Sequence, residues 1–179
     1  LVRNIFVIVG IEDPAEILNR LDDGVAETFM SAEDMELSDG MDISFCVIDT
    51  QMKFLEFAGA MNPLYLLRDN NIVEFKGDRH SVGNKEKEDN KHFKNQRIPL
   101  KEGDVIYLFS DGFPDQFGGP KGKKFKYRRL RHLLLTIHKL PFERQKSMLL
   151  KSIQQWKRDL DQVDDILFIG VKPLQESNK

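Results

Sequence analysis

A continuous apolar run that ends in an acidic turn constrains the fold of this chain most strongly. Residues 105–110 read VIYLFS and are followed by Asp111 and Gly112. Continuous rather than alternating apolarity predicts a strand that is buried on both faces. A second apolar run at 166–172, ILFIGVK, directly follows Asp164 and Asp165 and predicts the last strand. The sequence therefore places carboxylates at the ends of two strands of a sheet.

The first half of the chain contains one helical pattern and several strand patterns. Residues 13–29 have apolar side chains at helical spacing, with Asp13 as the N-cap and Pro14 in the first helical position. Apolar runs at 43–50 and 53–60 predict a β-hairpin, and residues 63–77 repeat this pattern. A meander of antiparallel strands is the simplest account of these runs.

The second half adds two helices before the last strand. Residues 78–98 carry many charges and predict a long exposed loop, whereas 127–140 and 141–160 predict helices on either side of Pro141. The order of helix, strands, two helices and strand predicts an α+β fold with an antiparallel sheet.

Composition narrows the class of protein. The chain has 179 residues, a net charge of −2 and 40% hydrophobic residues, which predicts one globular domain over residues 1–179. No apolar run approaches the ~18 residues of a membrane helix, so no membrane contact is expected. Cys46, the only cysteine, lies in the apolar run ISFCVI, which predicts a buried thiol in a reducing, cytoplasmic setting. The nearly balanced charge argues against a dedicated nucleic-acid binder.

The aspartates at the strand ends admit two interpretations. If the strands at 105–110 and 166–172 are antiparallel neighbours, Asp111 and Asp164 converge at one edge of the sheet. Clustered carboxylates repel one another unless a cation lies between them, and oxygen ligands suit Mg²⁺ or Mn²⁺. However, Asp-Gly after a strand is also an ordinary turn dipeptide. Spacing alone leaves both interpretations open.

Five segments together resemble a known family. LFSDGFPDQFGG at 108–119 and QVDDILFIGV at 162–171 resemble the C-terminal half of SpoIIE/RsbU-type phosphatases, which belong to the metal-dependent (PPM, type 2C-like) serine/threonine phosphatases. DGMDISFCVID at 39–49 and FAGAMNPLYLLRDNNIVEFKGD at 57–78 resemble the central strands of that family, and DPAEILNRL at 13–21 resembles the helix before them. The resemblance implies an α-β-β-α sandwich whose two Mn²⁺ or Mg²⁺ ions activate a water that hydrolyses phosphoserine or phosphothreonine.

The resemblance also assigns site residues. Asp111 of SDG and Asp164 of VDD match metal ligands, and Asp165 matches the position beside a ligand. Asp115 and Asp42, or Asp39 in place of Asp42, are secondary candidates for a further, weaker ion.

One departure from the family lowers the expected activity. The family has an upstream aspartate followed by GHG-like residues, and this aspartate bridges both metals. Leu1 is expected to begin just after that segment, so the N-terminal strands of the domain are expected to be missing from the chain. Two carboxylates alone bind Mg²⁺ weakly. We therefore expect the chain alone to be a weak or inactive catalyst, and its open sheet edge to favour a homodimer. The alternative is a catalytically inactive, phosphatase-like interaction or dimerisation module.

Partners follow from the same resemblance. It implies a bacterial signalling enzyme whose substrate is a phosphorylated regulatory protein, such as an anti-sigma-factor antagonist. It also implies a sensor or response-regulator domain N-terminal to the phosphatase in the parent protein.

A basic segment at 121–131, KGKKFKYRRLR, contains seven Lys or Arg with aromatic residues between them. A solvated loop that runs into a helix is the simplest interpretation. Attraction of a phosphoprotein to the nearby Asp111 is a second interpretation. A nucleic-acid surface is a third, and the net charge argues against it.

Overall fold

The computed structural model describes residues 5–8, 13–30, 40–83 and 92–174. The described strands are β1 (Ile5–Ile8), β2 (Ile43–Asp49), β3 (Phe54–Ala60), β4 (Leu64–Arg68), β5 (Asn71–Phe75), β6 (Gln96–Pro99), β7 (Val105–Phe109), β8 (Phe117–Gly118), β9 (Lys123–Lys124) and β10 (Phe168–Val171). The described helices are α1 (Pro14–Met30), α2 (Gly112–Asp115), α3 (Tyr127–Ile137) and α4 (Phe142–Lys157). Every helix in these ranges is too short or too polar to span a membrane.

The strands form two four-stranded sheets, in the orders β1-β2-β3-β6 and β10-β7-β4-β5, and a two-stranded ribbon, β8-β9. The predicted hairpin of β2 and β3 is confirmed, with antiparallel register from Ile43 opposite Ala60 to Asp49 opposite Phe54. The strand β1 pairs with β2 in parallel, which the sequence did not predict.

The predicted single meander is wrong, because β3 and β4 belong to different sheets. The chain leaves β3 through Met61, whose φ is 62°, and the Asn62 N–H donates to the Ala60 carbonyl at 2.7 Å. Pro63 then removes a backbone donor, so the ladder of β3 cannot continue. These three residues separate the strands of one sheet from those of the next.

By its internal contacts the chain divides into two compact units, and the first contains residues 1–64, 74–104 and 173–179. Its sheet is β1-β2-β3-β6, and α1 packs against β2 and β3. The Asp13 carboxylate accepts a hydrogen bond from the Ala15 N–H at 2.8 Å, which confirms Asp13 as the N-terminal cap of α1. Cys46 is buried in β2, and this burial raises the pKa of its thiol to about 12.

Part of the predicted exposed loop at 78–98 is buried in this first unit. Val82 and Phe93 are 0% and 4% exposed and join a core cluster with Leu18 of α1. Polar side chains of α1 fix the same segment, since Asp22 accepts from the Gly83 N–H and Asn19 accepts from the Phe93 N–H. Because this segment carries many charges, the sequence pattern did not predict its two core positions. Residues 84–91 lie outside the described part of the chain.

The second unit contains residues 65–73 and 105–172, and it holds the sheet β10-β7-β4-β5 with α2, α3 and α4. All five residues of β7 are buried, as continuous apolarity predicted. The helices α3 and α4 contribute to one apolar cluster with this sheet, whose buried members are Tyr65, Leu67, Val105, Tyr107, Phe109, Phe113, Phe125, Leu130, Leu134, Ile137, Leu149 and Ile153. Within the cluster, the Tyr107 hydroxyl donates to the Gln145 side-chain oxygen at 2.8 Å. This bond ties α4 to β7.

Candidate functional site: an acidic strand junction

The candidate site lies in the second unit, where β7 ends and β10 begins. These strands are antiparallel, with Phe109 opposite Phe168, so the end of one meets the start of the other as the sequence predicted. Ser110 extends the pairing beyond the strand: its N–H donates to the Leu167 carbonyl at 3.0 Å, and its hydroxyl accepts from the Leu167 N–H at 3.0 Å. The residues that follow Ser110 and precede Leu167 therefore share one junction.

The approach of the two backbones is closest at Gly112. A Cβ atom built on Gly112 would lie 2.4 Å from the Asp165 carbonyl oxygen and 3.1 Å from the Asp164 carbonyl oxygen. These distances are below van der Waals contact, so only glycine fits at the start of α2, where it contacts the segment that carries Asp164. The Ser110 hydroxyl also donates to the Asp165 carbonyl, at 2.7 Å. Glycine is thus required here by close packing rather than by an unusual φ.

The carboxylates at this junction differ in exposure. Asp111 is half-buried and directly precedes α2, and Asp164 is also half-buried, whereas Asp165 is exposed. One Asp164 carboxylate oxygen accepts from the Asp165 N–H at 2.7 Å, which orients that side chain. The two residues that the resemblance assigns as ligands therefore lie on segments in direct backbone contact. Asp165 contributes its backbone to the junction.

Gln116 fixes the segment that leads to Asp164, and the sequence interpretation missed it. Its side chain is fully buried, and its amide NH₂ donates to the Asp161 carbonyl at 2.9 Å and to the Phe117 carbonyl at 3.1 Å. Its side-chain oxygen accepts from the Val163 N–H at 3.3 Å. This side chain pairs with the backbone of residues 161–163 as a neighbouring strand would. The only sequence signal was a polar residue next to the aromatic and glycine residues of FPDQFGG.

Asp115, a secondary candidate, lies at the other end of α2. Its N–H donates to the Asp111 carbonyl at 2.8 Å, and its carboxylate forms an ion pair with the Lys124 ammonium at 2.8 Å. The pair is substantially exposed, so we expect it to contribute little to stability. A cation at Asp115 would have to compete with Lys124.

Asp42, another secondary candidate, belongs to the first unit. The Asp42 carboxylate accepts a hydrogen bond from the Ser81 hydroxyl. Asp39 lies outside the described residues. Within the described ranges, no group of three or more His, Cys, Asp or Glu side chains is arranged to hold a metal ion.

The donor set at the junction fits a hard divalent cation in part. Asp111 and Asp164 offer carboxylate oxygens, which suit Mg²⁺ and Mn²⁺ rather than Zn²⁺. Two carboxylates make an incomplete first coordination shell, because Mg²⁺ takes six ligands and keeps water in the rest. Two such carboxylates would hold an ion weakly, and further ligands would have to complete the shell.

Comparison with known proteins decides the family. The family model for stage II sporulation protein E, SpoIIE, matches residues 5–173. The chain belongs to the SpoIIE family. This confirms the resemblance that the five sequence segments carried. No curated protein gives a significant match to the chain.

Solved structures of phosphatase domains match the SpoIIE-family chain over most of its length. The SiaA-PP2C domain of Pseudomonas aeruginosa matches with 31% identity and a TM-score of 0.80, over 92% of this chain and 62% of that domain. The phosphatase domain of SpoIIE from Bacillus subtilis matches with 16% identity and a TM-score of 0.58, over 95% and 78% of the two chains. The catalytic domain of the serine/threonine phosphatase PstP, in complex with two manganese ions, matches with 13% identity and a TM-score of 0.55, over 91% and 72%.

These matches confirm the predicted α+β fold of the PPM phosphatase type. The chain spans less than two thirds of the SiaA domain that it resembles.

Proposed function

We propose that residues 1–179 form part of a metal-dependent serine/threonine phosphatase domain in which Asp111 and Asp164 bind Mn²⁺ or Mg²⁺. The observation that carries this proposal is the contact of Gly112 with the Asp164–Asp165 backbone. A turn that served only to reverse the chain would not need to bring two acidic segments this close. Membership of the SpoIIE family and the manganese ions of the PstP structure support the same assignment.

Some residues of the junction would bind the ion, and others would position those ligands. Asp111 and Asp164 would supply carboxylate oxygens, and the hydrogen bond from the Asp165 N–H would orient the Asp164 carboxylate. Ser110 would keep the two segments in register through its bonds to Asp165 and Leu167. The ion, when bound, would activate a water for attack on phosphorus. The complete domain is proposed to hold two ions.

The proposed substrate is a phosphorylated regulatory protein of a bacterial signalling system. The PP2C domain of SiaA and the cell-fate determinant SpoIIE, to which this chain is similar, support a signalling role. A further B. subtilis SpoIIE structure contains the PP2C domain and a fragment of a regulatory domain. By analogy, we propose control by a regulatory domain in the parent protein.

Titration with Mn²⁺, followed by water-proton relaxation, tests the metal site. Because only two carboxylates are proposed as ligands, we expect weak binding, with a Kd on the order of a millimolar. Asp111→Asn removes one of the two charged ligands and should weaken binding by at least about tenfold, since loss of even an outer-shell partner costs 10–100-fold. Phosphate release from a phosphoserine peptide, measured with and without Mn²⁺, should likewise be lower for Asp111→Asn than for the unchanged chain.

Asp161→Asn is the matched control, because it removes the same charge from an exposed side chain three residues before Asp164. Its Kd for Mn²⁺ should lie within about twofold of that of the unchanged chain. If Asp111→Asn and Asp161→Asn bind Mn²⁺ equally, Asp111 is a turn residue only. Absence of both Mn²⁺ binding and phosphate release would favour the inactive interaction module instead.

A further inference from the structure

Basic residues are concentrated on one part of the second unit. The chain has 27 Lys and Arg and 29 Asp and Glu. Eight of the basic residues and none of the acidic residues lie between Asp115 and Glu143. Acidic residues therefore outnumber basic ones clearly in the rest of the chain. This separation of charge creates a local positive potential on a protein whose net charge is only −2.

The basic segment is fixed to α2, the helix that follows Asp111. The Lys126 N–H donates to the Pro114 carbonyl at 2.6 Å, and the Phe125 N–H donates to the Gln116 carbonyl at 2.9 Å. The Phe125 ring packs edge-on against the buried Phe113 ring, with 5.2 Å between ring centroids. The positive charges therefore hold a defined position beside the acidic junction. A solvated loop would not need these anchors.

Some of the cations in this segment have structural contacts. Lys124 pairs with Asp115, and the Arg129 guanidinium lies 4.5 Å from the centroid of the Trp156 ring. The Arg131 guanidinium lies over the Tyr65 ring and donates to its hydroxyl at 3.1 Å. These three side chains contribute to the packing of the second unit. They are therefore poor choices for a test of binding.

Other side chains of the segment are exposed, and we call them the basic surface: Lys121, Lys123, Lys126, Arg128 and the aromatic Tyr127. Tyr127 is 38% exposed and lies between two of the cations. Tyr127 and Arg128 are of residue types that are enriched at protein interfaces, and the three lysines add positive charge around them.

We propose that the basic surface docks an acidic face of the phosphorylated protein substrate. This inference rests on the proposed function, because that function supplies the phosphorylated partner. A phosphoserine carries a charge of about −1.5 to −2 at neutral pH, and flanking acidic residues would add to it. Such a partner would be drawn to the basic surface by long-range attraction, and its phosphate would arrive next to Asp111.

The distribution of charge favours a protein over a nucleic acid. A duplex presents phosphates along its whole length, and outside the basic segment the chain is predominantly acidic. A folded protein with a limited acidic patch matches a limited basic surface.

Binding of a fluorescein-labelled peptide with one phosphoserine and several glutamates tests the proposal. The variant Lys121→Gln/Lys123→Gln/Arg128→Gln should bind this peptide roughly tenfold more weakly, since exposed interfacial charges each contribute modestly. The control Arg144→Gln/Lys146→Gln/Lys151→Gln removes the same charge from exposed positions of α4 and should bind within about twofold of the unchanged chain. Circular dichroism should be unchanged in both variants.

Other results of these titrations would overturn the docking inference. Equal weakening in both triple variants would mean that only net charge matters. Tighter binding of a short DNA duplex than of the phosphopeptide would assign the basic surface to nucleic acid.

The peptide is titrated without Mn²⁺, so the result is independent of the metal site. If peptide binding weakens only in the basic-surface variant and the unchanged chain does not bind Mn²⁺, docking is supported and the phosphatase proposal is contradicted. If the unchanged chain releases phosphate in the presence of Mn²⁺ but the basic-surface variant binds the peptide as tightly as the unchanged chain, the phosphatase proposal is supported and docking is contradicted.

Discussion

Replacing Gly112 with alanine is expected to destabilise the second unit by about 3 kcal/mol, near the upper end of the range for overpacked sites. The added methyl group would lie 2.4 Å from the Asp165 carbonyl oxygen and 2.9 Å from its carbonyl carbon. These are backbone atoms, so no side-chain rotation relieves the clash. Moving the carbonyl away would also lengthen its hydrogen bond from the Ser110 hydroxyl. If the proposed site is correct, Mn²⁺ binding should weaken as well, because Asp111 and Asp164 would separate.

Urea denaturation followed by circular dichroism measures this effect, and Gly24→Ala is the control. Gly24 lies in α1, and among the described residues no atom outside the neighbouring helix backbone lies within 4 Å of a Cβ built on it. Alanine there should raise the free energy of unfolding by up to about 1 kcal/mol, because glycine is a poor helix former. Equal stability of the two variants would mean that the backbone of Asp164 and Asp165 is not held against α2.

Replacing Gln116 with leucine is expected to lower the free energy of unfolding by about 2–4 kcal/mol. Leucine has a similar volume, but it leaves the Asp161 and Phe117 carbonyls and the Val163 N–H without the bonds that Gln116 provides. Each buried polar group left unsatisfied costs about 1–3 kcal/mol, and partial access of water reduces the total. The segment before Asp164 should also become mobile, and Mn²⁺ binding should weaken with it.

Gln116→Glu keeps the volume of the side chain and changes only its hydrogen bonding. A carboxylate at this position would face the Asp161 and Phe117 carbonyl oxygens that now accept from the amide NH₂. The protonated acid is therefore favoured in the folded state, which raises the pKa of the introduced carboxyl above its ordinary value. The free energy of unfolding of Gln116→Glu, relative to that of the unchanged chain, should be highest at a pH below the ordinary pKa of a glutamate. It should fall as the pH rises through the raised pKa of the folded state. A free energy of unfolding equal to that of the unchanged chain at every pH would show that Gln116 acts only by filling space.

The sequence predicted the junction because its signals are local. The apolar run at 105–109 and the run at 166–172 identify two strands, and the antiparallel pairing of β7 with β10 brings Asp111 toward Asp164. The need for glycine at position 112 was not visible, because it arises from the distant Asp165 backbone. Gln116 was missed for the same reason: its partners lie 45 and 47 residues away. Local composition was also misleading at Val82 and Phe93, two core residues within a highly charged segment.

The tryptophan and the three tyrosines, which dominate intrinsic fluorescence, are all in one of the two units. Trp156 is the only tryptophan, and its indole N–H donates to the Gln116 carbonyl at 3.1 Å. The three tyrosines, Tyr65, Tyr107 and Tyr127, also belong to the second unit. Tyrosine and tryptophan fluorescence therefore reports on the second unit, and Trp156 is a native probe beside the Gln116 contact. Cys46, the only thiol, belongs to the first unit, so chemical labelling and fluorescence can follow the two halves separately.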